Sequence, residues 1–165
     1  MHERRFLLPN GRGTIVFAPA VLEHMYEHAQ VRFYQKEAGG QLFSANPHEA
    51  EVLVTLATGP YPEDRRSRHA FEADRRRATA DAHQQFAVGR HAIGLWHTHP
   101  EPLPSPSFQD RETAVEFLRL NCADLTGFLL VTLGNQGIPL HMSVYLADSL
   151  SHMNWLELEE VSVSR

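Results

Sequence analysis

Apolar and polar positions divide the chain into short segments with recognisable periods. Two runs rich in β-favouring residues, 5–8 and 14–17, flank Pro9-Asn10-Gly11, and Asn-Gly between such runs predicts a hairpin. Pro19 stands where a helix can begin, because its missing N–H costs nothing in the first turn. Val21, Leu22, Met25, Tyr26 and Ala29 then recur with helical spacing, predicting a helix to about residue 31. Residues 41–44 and 51–57 read as strands around the turn Asn46-Pro47-His48, and a second helix is expected over 71–86. Ala92-Ile93-Gly94-Leu95-Trp96 reads as a buried strand. A third helix is expected over 108–121, with Ala114, Val115, Phe117, Leu118 and Leu120 as its apolar stripe. Residues 125–133 suit a central strand, turned by Gly134-Asn135-Gln136-Gly137 into a partner over 139–146. In the tail, Trp155, Leu156 and Leu158 are expected to cover part of the core. The expected class is α/β, one mixed β-sheet flanked by helices.

Composition narrows the possibilities without choosing among them. A chain of 165 residues, 42% apolar and 21% charged, is read as one domain with a real core. A net charge of −5 argues against nucleic acid as the main partner. No apolar run reaches membrane-spanning length, so no membrane role is expected. The start Met1-His2-Glu3-Arg4-Arg5 leads into no signal-peptide segment, and a cytoplasmic location is expected. The single Cys122 cannot form an internal disulfide and is expected to be a core thiol.

The chemistry concentrates after residue 96. His97 and His99 lie two apart in extended chain, so their imidazoles leave on the same face, an arrangement suited to zinc. Pro100 ends the strand, a proline-rich loop follows, and Ser107 opens a helix with Asp110 in its first turn, where a carboxylate can swing back toward the histidines. With 11 histidines present, about one His-x-His is expected by chance; adding Ser and Asp at fixed offsets lowers this to about one in several hundred.

The full pattern, His-Thr-His, seven residues, Ser, two residues, Asp, resembles the JAMM (MPN+) metalloprotease signature. Glu37 in Glu37-Ala38-Gly39-Gly40-Gln41-Leu42 resembles the upstream glutamate of that family, and Gly94, Trp96 and Pro106-Ser107 look like its bacterial branch. The resemblance covers roughly Phe6 to Leu146 and implies a cytidine-deaminase-like architecture for a domain taken as residues 1–147; residues 148–165 carry no matching motif and are expected to be a C-terminal extension packing on it. It also implies Zn2+ held by His97, His99 and Asp110, with Glu37 as general base and Ser107 donating to the oxyanion. The implied activity is isopeptide or peptide hydrolysis after the C-terminal glycine of a ubiquitin-like protein, either deconjugation or precursor processing. Bacterial relatives accompany E1/E2-like conjugation enzymes, including those of antiphage systems, and others release sulfur-carrier proteins.

Other features have plainer readings. Ser107 also fits an ordinary helix N-cap, and Asp110 a carboxylate favoured by the helix dipole. His24 and His28, four apart on the first helix, are expected on a solvated face. Thr98 is expected only to pack, and His69 and His91 to be surface or core residues. Arg65, Arg66, Arg68, Arg75, Arg76 and Arg77 are expected to form a solvated basic face paired with Glu72, Asp74 and Asp81, with a docking surface for an acidic partner as the alternative. An amidohydrolase barrel needs about 250 residues. A zinc nucleobase deaminase needs Pro-Cys-x-x-Cys, which one cysteine cannot provide. The rival outside catalysis is a silent MPN scaffold.

Overall fold

The computed structural model describes residues 2–121, 125, 127–148 and 154–161. Its elements, in chain order, are β1 (Arg4–Leu7), β2 (Thr14–Phe17), α1 (Pro19–Glu27), β3 (Gly39–Ser44), β4 (Glu51–Val54), β5 (Leu56–Ala57), β6 (Arg65–Arg66), β7 (Phe71–Glu72), α2 (Arg75–Ala87), β8 (His91–Thr98), α3 (Phe108–Asn121), β9 (Gly127–Leu133), β10 (Met142–Asp148) and β11 (Trp155–Glu157). The α/β class is as expected. A single sheet is not: there is a six-stranded sheet ordered β11-β10-β9-β8-β3-β5, a three-stranded sheet β1-β2-β4 and the small pair β6-β7.

The second sheet exists because residues 51–57 are not one strand. β4 runs parallel to β2, and after Thr55 the chain changes sheets so that β5 runs antiparallel to β3. Such corners let one apolar run serve two layers. The β1-β2 hairpin turns at Asn10-Gly11, both in the left-handed region with φ of 57° and 66°.

Helix 71–86 also needs correction. Residues 65–66 and 71–72 pair as a hairpin, and α2 starts only after Asp74, whose Oδ1 accepts the Arg77 N–H at 2.9 Å. The Asp74 carboxylate caps the helix there, and the residues before it pair as a strand instead. α1 likewise ends at Glu27, four residues early. The Gln30 side chain turns inward, bonding the carbonyls of Gln35 and Arg68.

β8 lies between β9, parallel to it, and β3, antiparallel to it. Its flanks explain its length: both edges find main-chain partners, so the strand runs through His97 instead of stopping at Trp96. Alternation sorts its side chains. Leu95 and His97 share a face with Gln41, whose amide donates to the Ala78 carbonyl of α2. On the same sheet face, Phe128 of β9 stacks on Phe117 of α3. Trp96 and Thr98 point the other way. Trp96 packs against His24 of α1 and His28 just past its end, and donates its indole N–H to the Thr58 carbonyl at 3.0 Å.

The core is continuous between the layers and includes Phe6, Phe17, Leu22, Met25, Trp96 and Phe128. At the far edge β11 pairs with β10, Trp155 is partly buried against the core and Leu158 is buried. Leu156 faces solvent, as alternation along an edge strand requires. Cys122 lies outside the described residues.

Candidate metal centre

The centre forms where β8 ends. His97 is the strand's penultimate residue, opposite Gly39 on one side and Thr132 on the other. His99 is one step past the strand, held by its N–H to the Leu133 carbonyl at 2.9 Å. The ring centroids are 4.9 Å apart and both side chains are buried. The proline-rich loop then crosses the β9-β10 turn. Glu101 accepts the Asn135 N–H at 2.9 Å, and the Pro102 carbonyl lies 2.8 Å from His141 Nδ1. Gly134 permits this approach, since a Cβ there would stand 2.8 Å from the Glu101 oxygen. Seated this way, the loop delivers α3 with its first turn pointing back at the histidines.

Ser107 and Asp110 close a reciprocal capping box. The Asp110 N–H donates to Ser107 Oγ at 3.2 Å, and the Ser107 N–H donates to Asp110 Oδ2 at 2.6 Å. The same Oδ2 lies 3.0 Å from His97 Nε2 and 3.3 Å from His99 Nε2. The cap therefore aims the carboxylate as well as starting the helix.

The three side chains meet without pairing off. His97 Nε2 is buried, close to Asp110, yet makes no aligned hydrogen bond. Ligands about 2.0–2.1 Å from a tetrahedral zinc stand about 3.3 Å from one another, close to the two distances observed. Among the described residues, His97, His99 and Asp110 are the group whose donor atoms all lie close enough together to hold one ion. The donor set and its spacing thus fit a divalent metal. Burial pushes the Asp110 carboxyl up, but its contacts with His97 and His99 outweigh this and hold it well below the usual carboxylate range. Burial lowers His99, but the adjacent Asp110 outweighs it and the net shift is upward.

Glu37 enters from the segment just before β3. Continuing the antiparallel register past Gly39–His97 sets Glu37 opposite His99 on the same face. It is 7% exposed, and burial first, then the charges of Asp110 and Glu101, lift its carboxyl to about 7, against the opposing pull of His99. Its backbone is pinned on both sides. The Glu37 N–H donates to the Ser67 carbonyl at 2.7 Å, and Arg66 Nε donates to the Glu37 carbonyl at 2.6 Å.

That second bond corrects the solvated-face reading for Arg66 and Arg68, while Arg65, Arg75, Arg76 and Arg77 are exposed as expected. Arg66 and Arg68 bond main-chain carbonyls of residues 32, 33, 36 and 37, holding the segment before β3. Arg77 lies over the Tyr61 ring at 4.2 Å and 3.5 Å from Asp81, and Arg75 pairs with Glu116. His24 and His28 are also not on a solvated face: both are half-buried on Trp96, and His24 Nε2 lies 2.6 Å from the Gly59 carbonyl. Thr98 does more than pack. Its hydroxyl accepts the Ala38 N–H at 3.0 Å and donates to Gln30 Oε1 at 3.1 Å. A threonine in an otherwise apolar strand position, pointing inward by alternation, was the available signal for it.

A strand-borne His-x-His met by a carboxylate from a capped helix, with a buried glutamate across the ladder, defines a candidate metal-dependent α/β domain. The family model described as prokaryotic homologs of the JAB domain matches residues 18–144, and the chain belongs to that family. It is 34% identical over 110 residues to a CD-NTase/cGAS isopeptidase of Pseudomonas aeruginosa, a match covering 62% of this chain and 66% of that protein. A CD-NTase/cGAS isopeptidase of Escherichia coli is 28% identical over 99 residues, covering 58% and 63%. Both matches thus span a little under two thirds of the relatives' length. The fold is similar to the solution structure of a Desulfitobacterium hafniense protein, with a TM-score of 0.59 and 17% identity over 88% of each chain. A Salinibacter ruber solution structure matches with a TM-score of 0.50 and 21% identity over 90% of each.

Proposed function

We propose that this chain is a zinc-dependent JAMM-type isopeptidase that cleaves after the C-terminal glycine of a ubiquitin-like protein. The observation that carries the reading is the convergence of three ligand-type side chains beside one buried carboxyl, Glu37. The names of the similar proteins support isopeptide bonds as the target and suggest a CD-NTase/cGAS-type protein as the conjugated acceptor. E1/E2-like conjugation enzymes are the expected companions, and the cytoplasm the expected location. No helix among the described residues is long and apolar enough to cross a membrane.

His97, His99 and Asp110 would hold the zinc, which when bound polarises the scissile carbonyl and brings the pKa of water toward neutrality. The remaining chemistry falls to the chain. Glu37 takes a proton from the attacking water as the water oxygen bonds the carbonyl carbon. It returns that proton to the amine nitrogen as the C–N bond breaks. Burial raises the affinity of this carboxyl for the proton it must take and then return. Ser107 donates its hydroxyl to the developing oxyanion when it swings from its cap. That hydroxyl accepts the Asp110 N–H, so one side chain would serve both the helix cap and the oxyanion.

The first test is zinc content of the wild type, Asp110→Ala and Glu37→Ala, followed by hydrolysis of ubiquitin-like fusions. About one zinc per chain is expected, lost with Asp110→Ala and kept with Glu37→Ala, and turnover lost in both. A wild type that takes up no zinc would sink the proposal. Zinc bound without turnover on any fusion or conjugate would favour the scaffold.

A further inference from the structure

We infer that Thr98 and Gln30 are positioning residues that fix the general base relative to the metal ligands, an inference that rests on the catalytic reading above. Thr98 sits between His97 and His99 in sequence, but its side chain leaves by the opposite face. It is fully buried, and Gln30 is 1% exposed. The register pairs Gly39 with His97, so the next pair along the ladder is Ala38 with Thr98. In a regular antiparallel ladder that pair exchanges two main-chain bonds. Only one is made here: the Thr98 N–H donates to the Ala38 carbonyl at 2.8 Å. The Ala38 N–H turns instead to the Thr98 hydroxyl. A side chain has replaced the last rung of the sheet.

The replacement has a consequence for Glu37, which precedes Ala38. Both polar atoms of the Ala38 backbone are gripped by one residue, and that residue joins the two histidines covalently. Base and ligands are thus locked through one peptide step on each side. The hydroxyl proton is in turn committed to Gln30 Oε1. The Gln30 amide donates to the carbonyls of Gln35 and Arg68, the latter in the loop joining β6 to β7. The loop leading to the base, the hairpin beside it and the ligand strand therefore share one buried amide. Any rotation of Gln30 would leave a buried donor or acceptor unmet, which is what makes the clamp stiff.

The test uses zinc-loaded full chain with Thr98→Val, Thr98→Ser and Gln30→Met. Each is read for zinc per chain, amide exchange at Ala38, and kcat and KM on a ubiquitin-like fusion. Thr98→Val keeps the shape and removes the acceptor. It is expected to keep zinc, to exchange at Ala38 at least about tenfold faster, and to lose about tenfold in kcat with KM little changed, as loss of one hydrogen bond to a buried donor implies. Thr98→Ser is expected to restore protection and kcat, and Gln30→Met to fall between. Wild-type exchange or wild-type kcat in Thr98→Val would overturn the inference. So would loss of zinc with it, because Thr98 would then serve the ligands instead of the base, and so would failure of serine to rescue. If Thr98→Val does not fold, Gln30→Met decides by the same readings. Glu37→Gln run in parallel keeps the two claims apart: full turnover there sinks the general-base reading, while Ala38 exchange still decides whether the clamp exists.

Discussion

Glu37→Gln should make the metal-free protein more stable, by an amount that grows with pH. The carboxyl ordinarily ionises at 4.5, and burial lifts it to about 7 in the folded chain. Between those values the folded state holds a proton that the unfolded state has released. Folding stability therefore falls as pH rises through this window and levels off above about 7. Moving the group from 4.5 to about 7 corresponds to about 3 kcal/mol. Glutamine carries no charge to bury and escapes this cost. The variant should gain less than about 1 kcal/mol at pH 5 and about 3 kcal/mol at pH 8. In a domain of this size that is about 6–12 °C in Tm at the alkaline end. The assay is thermal or urea unfolding of chelator-stripped wild type and variant from pH 5 to 9. Adding zinc should shrink the gap, because a nearby cation favours the ionised carboxylate. A gap that stays constant across the range, or a wild type that gains on the variant as pH rises, would refute a buried Glu37 strained by ionisation.

Three further outcomes are expected. Zinc should raise the Tm of the wild type but not of Asp110→Asn, and zinc affinity should fall as pH drops through the raised pKa of His99, which must lose its proton to bind; titration at several pH values checks both. Gly40→Ala should cost at least about 3 kcal/mol, because its Cβ would stand 1.7 Å from the Thr58 carbonyl oxygen, which is fixed backbone, with the Trp96 indole nitrogen at 3.1 Å. Gly89→Ala, at φ +82° but in open space, should cost only about 1 kcal/mol; urea midpoints separate the two. Glu160→Ala should cost about 3 kcal/mol, more than its half-exposed position suggests, because it leaves the buried Arg4 guanidinium without its two-point partner at 2.6 Å; unfolding of the single variants and of Arg4→Met/Glu160→Ala would show whether the loss comes from the stranded charge.

Local chemistry was legible wherever a residue's own backbone or neighbours decided the outcome. Asn10-Gly11 turned a hairpin because left-handed φ is cheap there. α3 began at Phe108 because Ser107 and Asp110 satisfy each other's N–H across one turn. Period-two alternation set His97 and His99 on one face before any neighbour was known. The sequence by itself therefore determined the class of fold, and the types and spacing of the candidate ligands.

What it left open required distant partners. Nothing within residues 51–57 says that Val54 pairs with β2 while Leu56 pairs with β3; two separate strands compete for one apolar run. The arginines at 66 and 68 read as surface charge until carbonyls of residues 32–37, about thirty positions upstream, arrive to accept from them. Glu37 acquires its raised pKa by burial, with Asp110 adding to the rise and His99 opposing it, groups 73 and 62 residues away in sequence. Desolvation and the field of distant charges are properties of the assembled layers. The sequence supplied the groups, and the tertiary structure decided which of them would be dry, which would be charged, and which would hold the others in place.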